Sequence, residues 1–219
     1  MSNYPDYAAY QLEEEVIIEH KRLFDFFHKT NSSESIGGSS RIVNYLRLSN
    51  VAAGCRERWL QGEMGLSGYA VDSILLENGK ADFSYPQNVP PLVIGELKLW
   101  YGGSYKEPEG LKGLVIAIEK GEKLGIMERT TRLPKEERWG LLSDYYRLKK
   151  CPLQVIKFLL LVVEMKMVSR KKGWGQVVAS QNLAFHDSRE LPSIVENEDI
   201  WIRVWEINNR LRVRKPTAL

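Results

Sequence analysis

Two stretches, Lys80-Ala-Asp-Phe-Ser-Tyr85 and Leu92-Val-Ile-Gly-Glu-Leu-Lys-Leu-Trp100, decide how this chain is read. Both are rich in the apolar, aromatic and β-branched residues that suit strands. The proline-stopped loop from Pro86 to Pro91 joins them. Residues i and i+2 of a strand share a face, so Glu96 and Lys98 project together. Asp82, near the start of the neighbouring strand, reaches the same end of the sheet. A glutamate and a lysine set among Val93, Ile94, Leu97 and Leu99 need partners or a task, because burying unpaired charge is costly.

Outward from this pair, Tyr69 to Glu77 is β-prone and Asn78-Gly79 is a strong hairpin signal, so three strands are expected to form a meander. Upstream, Arg41 to Glu63 reads as helix with a break near Asn50. The segment Gln11 to Lys29 places Leu12, Val16, Ile17, Leu23, Phe24 and Phe27 near the helical period, with Glu13 to Glu15 in the first turns, where acids suit the helix dipole. Thr30 to Ser40 is a linker. Downstream of the meander lies a glycine-rich loop, Tyr101 to Gly110. Pro134 then opens a helix running through Trp139, Leu142, Tyr145, Tyr146 and Leu148 and stopping before Pro152. Phe158 to Val168 is a buried strand, Arg170-Lys-Lys-Gly-Trp-Gly175 a basic turn, and Ile200 to Ile207 a further strand. The expected fold is α/β, a mixed central sheet flanked by helices. Residues 1–50 form an N-terminal helical extension and linker, and residues 51–219 a core with C-terminal strands.

Composition narrows the possibilities. The chain has 219 residues, 43% of them hydrophobic, with six tryptophans, which argues against disorder. A chain of this length buries enough surface to fold without disulfides or metal. Its longest aliphatic run, Phe158 to Val163, is far short of the roughly 20 residues that span a bilayer. Met1 to Asp6 shows neither the basic start nor the apolar stretch of a signal peptide. Two cysteines, Cys55 and Cys151, make no disulfide scaffold, so an intracellular, cytoplasmic protein is expected. His20, His28 and His186 show no zinc-ligand spacing with either cysteine. The net charge of +3 permits a nucleic-acid partner without indicating one.

Two carboxylates that face each other repel, and each raises the other's pKa. A divalent cation removes that cost, and hard oxygen ligands suit Mg²⁺ or Mn²⁺. A lysine beside such an ion can orient or deprotonate a water and stabilise charge on phosphorus. Asp82, Glu96 and Lys98 could therefore support hydrolysis of a phosphodiester. Glu-x-Lys alone is weak evidence, since Glu19-His-Lys21 and Glu164-Met-Lys166 also occur. Only Glu96-Leu-Lys98 follows a strand that bears an aspartate.

Lys80-Ala-Asp82 followed by Ile94-Gly-Glu96-Leu-Lys98 resembles the core motif of the PD-(D/E)XK nucleases, the restriction-endonuclease-like superfamily. The resemblance covers the order helix, meander, helix, strand from about Val51 to Val168. It implies a restriction-endonuclease-like fold and Mg²⁺-dependent cleavage of DNA, less often RNA. Asp82 and Glu96 would be metal ligands and Lys98 the catalytic lysine. Members often carry a further glutamate on the preceding helix, a place that Glu57 fills here, with Glu63 as runner-up. Ala81 stands where the family often has proline. No Gln-x-x-x-Tyr follows the third strand, so the RecB-like branch is not supported.

Each residue also has a plainer reading. Asp82, Glu96 and Lys98 could form a cross-strand ion pair of small energetic weight. Glu57 could be a solvated helix charge beside Arg56 or Arg58, and Glu164 a strand terminus reaching water. Arg170, Lys171, Lys172 and the run Arg210 to Lys215 could bind phosphates or be solvated turns. Trp174 could stack on a base or cap the core edge. Trp201 and Trp205 share a strand face and are expected to pack. The alternative to a nuclease is a non-catalytic nucleic-acid- or partner-binding module on the same fold. A homodimer is an expectation from the two-fold symmetry of enzymes that cut both strands.

Overall fold

A computed structural model of the chain describes residues 4–32, 41–47, 53–72, 75–76, 79–100, 141–165, 185 and 187–207. The helices are α1 (Glu14–Ser32), α2 (Arg41–Arg47), α3 (Ala53–Leu66) and α4 (Leu141–Lys150). The strands are β1 (Leu75–Leu76), β2 (Gly79–Lys80), β3 (Phe83–Tyr85), β4 (Val93–Trp100), β5 (Ile156–Glu164), β6 (Ser188–Glu190), β7 (Val195–Glu196) and β8 (Ile200–Ile207).

Every residue of β5 is buried. A strand apolar on both faces must be covered on both, which places it in the middle of a layered sheet. It pairs parallel with β4 and antiparallel with β8. β3 adds antiparallel to β4, and β6 and β7 add antiparallel to β8, completing a mixed six-stranded sheet. On one face Phe158, Leu160 and Val162 pack with Val16, Phe27 and Leu23 of α1, Ile42 and Leu46 of α2, and Leu60 and Met64 of α3. On the other face Ile94, Leu159 and Leu161 meet Leu141, Tyr145 and Leu148 of α4. The N-terminal helices thus share one apolar cluster with the sheet. The expected α/β class with helices flanking a mixed sheet is what the chain adopts. Trp205 is fully buried, and Trp201 packs against the same cluster.

The meander differs from expectation. Among the described residues of the expected first strand only Ala70 bridges to the sheet, opposite Ser84. The chain then bends at residues 71–72, with Asp72 in a left-handed conformation (φ 55°), and β1 pairs with β2 in a separate two-stranded hairpin. The return segment is also interrupted: β3 begins at Phe83, and Asp82 stands just outside it. Among the described residues no helix is long and apolar enough to cross a membrane.

Gly95 is required by a close approach. It lies opposite Phe83, and a Cβ there would fall 2.0 Å from the Phe83 ring. Gly95→Ala must displace a fully buried phenylalanine, and such overpacking costs about 1–3 kcal/mol. For a chain of this size that lowers the melting temperature by roughly 2–4 °C per kcal/mol. Thermal denaturation followed by circular dichroism checks it, and an unchanged melting temperature contradicts it.

Candidate active site

The β3–β4 register pairs Phe83 with Gly95 and Tyr85 with Val93. One step further along it, Asp82 stands opposite Glu96. There the backbone ladder stops. The Leu97 amide instead donates to Asp82 Oδ2 at 2.8 Å, so the side chain takes over a strand hydrogen bond where β3 parts from β4. Asp82 Oδ1 accepts from Gln61 Nε2 of α3 at 2.9 Å.

Glu96 and Lys98 alternate with Leu97 and project toward α4, as strand geometry requires. Glu96 is wholly buried, and its Oε2 accepts from Arg147 Nη2 at 2.9 Å. Lys98 Nζ lies 3.1 Å from Asp144 Oδ2 and 3.6 Å from Glu57 Oε2. Glu57 and Gln61 are one turn apart on α3, so one helix face reaches both Lys98 and Asp82. Arg147 also bonds Asp144, three residues earlier on α4. The structure therefore brings together Glu57, Asp82, Glu96 and Lys98 and adds Gln61, Asp144 and Arg147, which reading the motif alone did not single out. A signal for Asp144 was present. Leu141, Asp144, Tyr145 and Leu148 follow the i, i+3, i+4, i+7 stripe, so an aspartate sits in the apolar seam of a helix.

The electrostatics follow from this crowding. Burial first, then the charges of Asp82 and Asp144, push Glu96 well above the usual carboxylate range. Burial likewise raises Glu57, with Lys98 opposing and Asp82 and Asp144 adding to the rise. Burial raises Asp144 despite Lys98 and Arg147. For Lys98, burial alone would lower the pKa, but Asp144, Glu57 and Asp82 outweigh it and hold the ammonium above its ordinary value. Four carboxyls against two cations leave a surplus of two negative charges when all are ionised.

Asp82 and Glu96 fit a divalent cation in donor chemistry. Both are hard oxygen ligands on one side of the sheet, and Glu96 Oε1 is buried without a hydrogen-bond partner among the described residues. No ready-made group of three or more His, Cys, Asp or Glu ligands is formed among the described residues. Mg²⁺ commonly takes one or two carboxylates and completes its shell with water.

One sequence expectation is corrected. Glu164 does not reach water. It is fully buried, held by Arg47 Nε at 2.9 Å and Nη2 at 2.7 Å, and Arg47 also bonds Asp199 at 3.0 Å. Its alternation with Val162 places it on the sheet face opposite Glu96, so α2 supplies a partner that strand pattern could not show. Glu63 is bonded to Arg41 of α2 at 2.7 Å, which leaves Glu57 as the α3 glutamate that meets Lys98. Arg170, Lys171, Lys172, Trp174, His186 and the run from Arg210 to Lys215 lie outside the described residues.

No protein-family model, no curated protein and no solved structure matches this chain.

Proposed function

We propose that the chain is a metal-dependent nuclease of the PD-(D/E)XK type, hydrolysing DNA phosphodiester bonds at Asp82, Glu96 and Lys98. The observation that carries this reading is the convergence of these three side chains where β3 parts from β4, with a buried Glu96 oxygen left without a donor. Element order supports it as well. α3, the Ala70 bridge, β3, β4, α4 and β5 follow in the order the family resemblance implies, with the separate β1–β2 pair inserted before β3.

Mg²⁺ or Mn²⁺ held by Asp82 and Glu96 would supply a polarised water and neutralise charge at the phosphate. Lys98, kept protonated by its acidic neighbours, acts as a fixed positive charge that orients the attacking water and stabilises the negative charge developing on the phosphoryl oxygens. Asp144 and Glu57 hold the Lys98 ammonium in place. Gln61 and the Leu97 amide fix both oxygens of Asp82, so its carboxylate is oriented before substrate arrives.

The test is cleavage of supercoiled plasmid and labelled single-stranded DNA with Mg²⁺ or Mn²⁺, against EDTA, for the native chain and Asp82→Asn. Nicking or linearisation that needs the metal and disappears in Asp82→Asn is the expected result. Cleavage that survives Asp82→Asn, or no metal-dependent cleavage of DNA by the native chain, contradicts the reading.

A further inference from the structure

Arg147 and Glu96 face each other with valences unspent on both sides. Glu96 Oε2 is taken by Arg147 Nη2, but Glu96 Oε1 is buried with no partner among the described residues. Arg147 Nη2 also serves Asp144, while Arg147 Nε is buried with no acceptor among the described residues. A buried ion pair is worth its desolvation only when the remaining lone pairs and protons are also satisfied. Here Arg147 Nε is left over, and the Glu96 carboxyl faces the Asp82 carboxylate, with which it shares a hydrogen bond only while it keeps its proton. The unused atoms differ in kind: a carboxyl oxygen that takes a cation once its proton is released, and a guanidinium N–H that wants an anion.

Their positions differ too. Glu96 and Asp144 are sealed from solvent, whereas Arg147 keeps about a fifth of its side chain exposed. Of these three groups it is the one that an arriving ligand meets.

We infer that Arg147 is a placeholder cation at Glu96, displaced when a divalent ion binds there, and that the released guanidinium then binds a phosphate of the nucleic acid. This inference rests on the metal-site reading above and adds a substrate-binding residue to it. Arginine suits both roles. Its planar fork pairs with a carboxylate or a phosphate, and it keeps its charge throughout. Both unsatisfied atoms then gain partners, the ion at Glu96 Oε1 and a phosphate oxygen at Arg147 Nε. Asp144 remains to hold Lys98.

The consequence is a pair of effects of opposite sign. Removing the arginine should strengthen metal binding, because a competitor leaves Glu96, and should weaken binding of nucleic acid, because a phosphate contact is lost. The experiment compares the full-length native chain with Arg147→Gln and Arg147→Lys. Mn²⁺ affinity is measured by titration calorimetry without DNA. Affinity for a short duplex is measured in Ca²⁺ over a range of salt concentrations.

For Arg147→Gln the expected result is several-fold tighter Mn²⁺ binding together with weaker duplex binding, the slope of log affinity on log salt falling by about one unit. Arg147→Lys, which keeps the charge but loses the fork, should move both quantities in the same directions by less. It carries the test alone if glutamine prevents folding. Mn²⁺ binding that is unchanged or weaker in the variants overturns the inference and leaves the metal site standing. Unchanged duplex affinity and salt slope also overturn it. A native chain that takes up no Mn²⁺ removes the metal site and the inference together, an outcome visible before any variant is examined.

Discussion

Glutamine in place of Glu96 is expected to raise the melting temperature at mildly alkaline pH and, at the same time, to end metal-dependent cleavage. In the native chain this carboxyl is fully buried, and burial followed by Asp82 and Asp144 raises its pKa. The sign of the effect follows from proton counting. Above the ordinary glutamate pKa of about 4.3 the unfolded chain has released this proton, whereas the folded chain still holds it. The folded state then binds more protons. Its stability is fully present below the unfolded pKa and is lost progressively as pH rises toward the folded one. Glu57 and Asp144 are raised as well and add to the same trend.

Glutamine has nearly the same shape and no proton to lose. A carboxyl whose pKa is raised on folding loses about 1.4 kcal/mol of stability for each pH unit above its unfolded value, and glutamine removes that loss. For a chain of this size each kcal/mol is worth roughly 2–4 °C. Scanning calorimetry at about pH 5 and about pH 9 separates this from a general packing effect, because the advantage of Glu96→Gln must grow with pH in this window. An advantage independent of pH, or a less stable variant, contradicts it. On the metal-site reading the same linkage makes metal affinity rise with pH, since an ion at Glu96 would displace its proton. A stabilising substitution that removes activity is the mark of a residue kept for function at the expense of stability.

The motif was legible because strand geometry is nearly rigid. Alternation fixed that Glu96 and Lys98 share a face, and the structure keeps them there. The apolar run at 158–163 announced the buried central strand, and the helical period of α1 announced its buried stripe. What escaped were contacts made across the chain. Glu164 looks like a strand end until Arg47, 117 residues earlier, is folded against it. Arg147 meets Glu96 across 51 residues, and no local pattern encodes that distance. The broken meander was hidden for another reason. The residues around Tyr69 to Glu77 have strand propensity, but Asp72 at positive φ turns the chain off the sheet. A single turn residue overrode an averaged preference. Asp82 also gained a structural task that its position in the motif does not reveal, replacing the backbone partner of Leu97.

Lys98→Ala is expected to reduce the rate of DNA cleavage by about 10²–10³-fold, the scale on which removing one preorganised charge-stabilising donor acts. Asp144→Asn should reduce it by about 10–100-fold, typical for a residue that orients the reacting group without touching substrate. The difference follows from contacts. On the nuclease reading Lys98 faces the phosphate, whereas Asp144 is completely buried and would act by holding the Lys98 ammonium at 3.1 Å. Asparagine keeps the shape and a carbonyl oxygen, so Lys98 retains one weaker partner there and Glu57 at 3.6 Å. Losing the Asp144 charge also removes the leading influence that raises the Lys98 pKa against burial, so the ammonium gives up its proton at lower pH. In Asp144→Asn the alkaline limb of the pH–rate profile should therefore move to lower pH, which a purely structural loss would not produce. Single-turnover cleavage against pH, with DNA affinity measured alongside, is the decisive comparison. The rate should fall in both variants, and in Asp144→Asn affinity for DNA should change little, because the Asp144 side chain is sealed from solvent. If Asp144→Asn lowers affinity and rate together with an unshifted profile, its carboxylate serves packing rather than the lysine.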